Sequence, residues 1–192
     1  AAYLASVDLA DEKGAFALFD PEAYLRGETL GTLDQDVQDV IRQKGIRNAL
    51  LTSVAPTGTI SLLADNVSSG LEPVFSFSYT RTVLMPDGSR QEERVSDYAH
   101  QLFCRMFGEE APLPDYFVTS LTLSPADHVA VQSTVQKFID SSISKTINCP
   151  TAISFADFKD IYKKAYDSGC KGCTTYRPND VTGAVLKAEA GA

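Results

Sequence analysis

Three groups of residues have the types and spacing to do chemistry. The first is Val54-Ala55-Pro56-Thr57-Gly58-Thr59-Ile60-Ser61, an apolar run that empties into small residues and then into a short helical pattern. Such a turn leaves the first N–H groups of the helix unpaired at its positive end, where they can hold a phosphate without a lysine. Gly58 lets the backbone approach a ligand closely. An ordinary capped strand-to-helix turn, with Thr57 or Thr59 as N-cap, uses the same residues, and the local pattern leaves both readings open. A P-loop is excluded, because no Gly-Lys-Ser/Thr follows.

The second group is Cys170-Lys171-Gly172-Cys173. A CxxC pair does redox chemistry when its first thiol sits at a helix N-terminus, where the dipole favours thiolate. Here the pair follows a helix end, where the dipole has the opposite sign, so the spacing points to packing or a site lining. Cys104 and Cys149 read as core thiols. The third group holds the remaining titratable residues. His100 and His128 have no Cys, His or carboxylate at a ligand spacing and read as surface or packing residues, and Glu92-Glu93 and Glu109-Glu110 read as solvated charge.

The elements that must position these residues alternate. Residues 1–13 follow helical spacing through Leu4, Val7 and Ala10 or Asp11, with Gly14 as a stop, and Asp34 precedes a helix over 35–44 that Gly45 ends. Residues 49–55 have the length and apolarity of a buried parallel strand. Residues 74–85 are rich in strand formers and turn at Pro86-Asp87-Gly88 toward 91–95, an inserted β-hairpin. Ser96 is the expected cap of a helix through Met106. Ser124-Pro125-Ala126-Asp127 starts a stronger helix, expected to reach about Asp140. A strand over 144–149, a helix started by Ser154 and ended by Gly169, and a strand over 173–176 complete an α/β pattern with parallel pairs. Residues 186–192 read as a fraying tail, and the uncapped first helix without a leading Met reads as the start of an excised segment.

The composition narrows the function classes. Hydrophobic residues make up 44% and charged residues 22% of 192, as in a folded globular protein. Seventeen Lys+Arg against 25 Asp+Glu give a net charge of −8, which argues against a mainly electrostatic nucleic-acid or anionic-membrane binder. No apolar run approaches the roughly 18 residues of a membrane span, no signal peptide opens the chain, and four cysteines are too sparse for a disulfide scaffold. The expected location is the cytoplasm.

Several segments together resemble a known family. The run from Ala55 through Ala64, then Asn66-Val67-Ser68-Ser69-Gly70-Leu71-Glu72-Pro73-Val74-Phe75, is similar to the class II, adenosylcobalamin-dependent ribonucleotide reductases. So are, in the expected order, Asp140-Ser141-Ser142-Ile143-Ser144-Lys145-Thr146-Ile147-Asn148-Cys149-Pro150 and Ala165-Tyr166-Asp167-Ser168-Gly169-Cys170-Lys171-Gly172-Cys173-Thr174-Thr175-Tyr176-Arg177-Pro178. The resemblance covers nearly the whole chain. It implies a single segment, residues 1–192, forming the C-terminal part of a ten-stranded α/β barrel. It also implies that Pro56, Thr57, Gly58, Thr59 and Ile60 hold the substrate's phosphates, with Ser61 assisting.

The implied reaction converts ribonucleotides, with diphosphates expected, to deoxyribonucleotides by thiyl-radical chemistry. Adenosylcobalamin is its cofactor, an external dithiol its reductant, and the rest of the barrel the partner of this segment. The family's radical cysteine lies in an Asn-x-Cys-x-Glu motif, which this chain does not contain. No catalytic residue or metal ligand is therefore expected here, the segment is expected to be inactive and not to bind cobalamin alone, and its uncovered edges favour self-association. Thr174-Thr175 stand where the oxygen-dependent class carries two radical-relaying tyrosines, which fits a radical that starts on a cofactor beside the site. A stand-alone phosphate-binding or regulatory module and a small CxxC redox protein are the competing readings.

Overall fold

The computed structural model describes residues 1–178 and the backbone of Lys187–Ala188; the rest of the expected tail lies outside the described residues. Helix α1, Ala2–Lys13, ends at Gly14, whose φ of 78° stops the helix. Its buried face is Tyr3, Ser6, Val7 and Ala10, while Leu4 is 42% exposed. Val7 and Ala10 lie on the expected face, and Tyr3 takes the place of Leu4. Tyr3 reaches a buried partner, Asp140, and Ser6 is satisfied by Asn48, so both belong inside.

Helix α2, Pro21–Leu25, is capped by Asp20, which accepts from Ala23 N at 2.7 Å. A 3-10 turn, Leu30–Thr32, and α3, Gln35–Lys44, follow. These elements close one core of Tyr3, Val7, Leu30, Ile41 and Ile46. Phe16, Phe19 and Tyr24 meet edge-on there at centroid distances of 5.4–5.7 Å.

The run 49–55 does not become a regular strand. It makes a single parallel bridge, Val54 to Ile143, with Ser141 N donating to Thr52 O and Ser144 N to Val54 O. The amides of Leu51 and Thr52, which a ladder would use, are taken by the Asp140 carboxylate at 2.7 Å each. After it comes the short helix α4, Gly58–Leu63.

Strands β1, Ser78–Leu84, and β2, Arg90–Ser96, form the expected hairpin, in register from Ser78–Ser96 to Leu84–Arg90, and β5, Lys187–Ala188, pairs with β1's other edge. The following helix α5, Tyr98–Phe107, is capped by Asp97 and not by Ser96: Asp97 accepts from His100 N at 3.0 Å, while Ser96 is still in β2.

Helix α6, Pro125–Gln136, begins in a capping box between Ser124 and Asp127. It stops four residues before Asp140, because Gln136 Nε2 donates back to Ile139 O and Ser141 O and Asp140 is drawn across to Leu51 and Thr52. Strands β3, Thr146–Asn148, and β4, Thr174–Tyr176, pair in parallel across the crossover helix α7, Phe155–Asp167. Ile147, facing the helices, joins Val129, Cys149, Ile161 and Ala165 in a second core. The architecture is α/β, a partial barrel with an inserted hairpin; among the described residues the strands do not close. No described helix is long and apolar enough to cross a membrane.

Candidate phosphate-binding turn

The turn follows Val54, at the carboxyl end of the bridged parallel segment, where ligands collect in α/β sheets. Thr57 caps α4 in the left-handed region, φ 51° and ψ 24°. For a residue with a Cβ this costs about 1–2 kcal/mol. Its Oγ1 does not cap the helix but accepts from Gly70 N at 2.7 Å, leaving the hydroxyl hydrogen free for another acceptor.

Gly58, Thr59 and Ile60 are the first three helical residues, and among the described residues no hydrogen bond takes up their amides; the first amide used is Ser61 N, on Thr57 O at 2.8 Å. Pro56, Gly58, Thr59 and Ile60 are exposed, so these donors face open space. A Cβ built on Gly58 would meet nothing within 4 Å. Ser61 is the buried member, its Oγ donating to Gly58 O at 2.7 Å.

The loop that returns over this turn is held close. A Cβ on Gly70, whose φ is 55°, would stand 2.6 Å from Ala55 O. Beside the turn lies a cleft of about 310 Å³, bordered by Ser61, Asn66, Glu72, Tyr79, Thr146 and Asn148. Thr146 and Asn148 alternate with Ile147 along β3 and so face away from the helices.

The remaining candidates are elsewhere. Cys170 and Cys173 pack against the second core, and burial, helped for Cys170 by the neighbouring Cys173, pushes both thiols up; burial also pushes up the Cys149 thiol. This is the setting of packed thiols, not of an activated dithiol. His100 stacks on Phe77 at 5.4 Å and lies 3.7 Å from Cys104 Sγ. Glu92, Glu93, Glu109 and Glu110 are exposed. Among the described residues no three His, Cys, Asp or Glu gather to hold a metal.

Two polar clusters were not singled out by residue type or spacing. Asp140, 4% exposed, accepts from Tyr3 Oη, Leu51 N, Thr52 N and Thr52 Oγ1. Burial works to raise its carboxyl, and these hydrogen bonds outweigh that, holding it below the usual range. His128 is fully buried beside Lys145 and Glu72; burial first, then the Lys145 charge, keep the imidazole below its ordinary value. The sequence signal was the family-like segments themselves, which contain Glu72, Asp140 and Lys145.

The family model "Ribonucleotide reductase, barrel domain" matches residues 1–176. The chain belongs to the ribonucleotide reductase barrel family. It is 31% identical over 206 residues to a vitamin B12-dependent ribonucleoside-diphosphate reductase of Mycobacterium tuberculosis, covering 99% of this chain and 27% of that protein. With the protein of the same name from Thermoplasma acidophilum it is 34% identical over 160 residues, covering 74% of this chain and 21% of the relative. This chain therefore spans about a quarter of the length of those relatives.

Among solved structures, a B12-dependent class II ribonucleotide reductase superposes with a TM-score of 0.56 at 16% identity, over 91% of this chain and 26% of the other. The class Id alpha subunit of Actinobacillus ureae gives 0.58 at 20% identity, over 92% and 31%. These two likenesses establish the fold.

Proposed function

We propose that residues 1–192 are one segment of the catalytic barrel of a vitamin B12-dependent ribonucleotide reductase, and that this segment holds the phosphates of a ribonucleoside diphosphate. The observation that carries the reading is the set of unclaimed amides of Gly58, Thr59 and Ile60 behind a left-handed Thr57, at the carboxyl end of the bridged parallel segment. In this reading the amides and the Thr57 hydroxyl donate to phosphate oxygens. Pro56 sets the entry of the turn and presents no competing N–H. Ser61 stiffens the first turn through Gly58 O and lines the adjoining cleft. The relatives' names support the diphosphate and the cofactor.

Adenosylcobalamin, when bound to the intact enzyme, supplies the radical. Clefts among the described residues, about 210–650 Å³, are at most of the size that drug-sized ligands fill. A corrin with its nucleotide tail is several times larger, so these residues alone do not fit it. The rest of the barrel is the proposed partner of the exposed Ile60, Leu63, Phe155 and Tyr166, and without it copies of this chain self-associate. An external dithiol supplies the electrons, and the cytoplasm is the proposed location, consistent with four free cysteines.

The test is titration of the chain with pyrophosphate and with a nucleoside diphosphate. Gly58→Val adds a side chain in open space, so the fold should be kept while affinity falls at least tenfold. Equal affinity in the variant and the parent removes the cradle.

A further inference from the structure

The buried Lys145 has no part in the reading above, and its contacts are unusually complete. A lysine ammonium has three hydrogens and no lone pair. Lys145, with its side chain 1% exposed, directs them to Glu72 Oε2 at 2.7 Å, His128 Nδ1 at 2.9 Å and Thr146 O at 3.2 Å. His128 Nδ1 must then be the acceptor, which places the ring hydrogen on Nε2, toward Ser120 O at 3.3 Å. The imidazole is neutral and oriented from both sides, by Ser120 O and by Lys145 Nζ. Glu72 is equally committed, because its Oε1 accepts from Thr146 N.

Glu72 ends the loop that covers the phosphate turn. Two residues earlier, Gly70 N donates to Thr57 Oγ1 at 2.7 Å, and Gly70 rests against Ala55 O. A continuous set of contacts therefore runs from His128 on α6 to Lys145, to Glu72, along two residues of loop to Gly70, and to Thr57, whose left-handed backbone orients the amides of Gly58, Thr59 and Ile60.

We propose that Lys145 is a positioning residue for the phosphate turn: held by His128, it clamps Glu72 to β3 and so keeps the covering loop, and through it Thr57, in the conformation that presents the three amides. Glu72 is the point where the clamp meets the loop. The clamp rests on the proposed phosphate reading only for its consequence for binding; the contacts themselves do not depend on it.

The experiment uses the full 192-residue chain and the variant Glu72→Gln, which keeps size and removes the charge. Amide hydrogen exchange is followed at Gly70 and Ser61, the two amides that report Thr57, and in α1 and α7 as references. The expected result is exchange about tenfold faster at Gly70 and Ser61 with α1 and α7 unchanged. Pyrophosphate should bind about tenfold more weakly, as follows if the competent turn is populated about a tenth of the time. Unchanged exchange at Gly70 and Ser61, or an equal rise throughout the chain, overturns the proposal.

Should Glu72→Gln fail to fold because an unpaired ammonium is left buried, the double variant Glu72→Gln with Lys145→Met removes that charge and is expected to show the same local rise. The exchange measurement needs no ligand. If the parent chain binds no pyrophosphate, the cradle reading falls, and exchange at Gly70 and Ser61 still decides the clamp.

Discussion

Gly70→Ala tests the turn through its packing. Gly70 has φ 55°, and an added Cβ would lie 2.6 Å from Ala55 O and 3.4 Å from Pro56 O, both backbone atoms at the start of the turn. The left-handed conformation costs an alanine about 1 kcal/mol, and overpacking against backbone costs about 1–3 kcal/mol more. Separation of the two segments also weakens the Gly70 N to Thr57 Oγ1 hydrogen bond, worth about 1 kcal/mol. A destabilisation of about 3 kcal/mol is expected, which for a chain of this size lowers Tm by roughly 6–12 °C. The assay is thermal unfolding by circular dichroism, paired with pyrophosphate titration, which should show weaker binding. Gly70→Asn separates the terms: asparagine tolerates the left-handed region but carries the same Cβ, so it should recover only the conformational part. Parental Tm and affinity in Gly70→Ala would refute the argument, and full recovery in Gly70→Asn would refute the close contact.

Asp140→Asn replaces two acceptor oxygens with one and turns an NH₂ toward existing donors, so a loss of about 3 kcal/mol is expected in urea unfolding at pH 7. The folded carboxyl lies below its unfolded value, so its stabilisation is present above roughly pH 4 and is lost as pH falls through the lowered folded value. The parent and the variant should therefore converge in acid, and a gap that does not narrow as the pH is lowered would contradict the assignment. The thiols of Cys170 and Cys173, raised by burial, should be alkylated by iodoacetamide with a pH midpoint above the free value of about 8.5; a midpoint below about 7 would restore the dithiol reading. The chain incubated with nucleoside diphosphate, adenosylcobalamin and a dithiol should give no deoxynucleotide above a no-protein control. Product would make Cys149 and Cys173 the first residues to replace.

The sequence by itself determined what is settled within three or four residues. Ser124 and Ser154 start α6 and α7 because each hydroxyl accepts an amide three residues on. Pro86, Asp87 and Gly88 turn the hairpin, and the small residues after Val54 open a strand-like run into a helix. The ordered segments that resemble the ribonucleotide reductases were legible for the same reason, since a motif is a local string.

The tertiary structure alone decided the rest. Asp140 takes amides 88 and 89 residues away and a phenol 137 away, which puts Tyr3 in place of Leu4 on the buried face of α1, shortens α6 and keeps residues 49–55 from becoming a strand. Lys145 meets Glu72 across 73 residues, and Thr57 is held left-handed by an amide 13 residues on. Helical and strand periodicity report which face of an element is apolar. They carry no information on which distant carboxylate a buried donor will find, because that choice follows from the whole chain's path and from the cost of leaving a buried polar group unpaired.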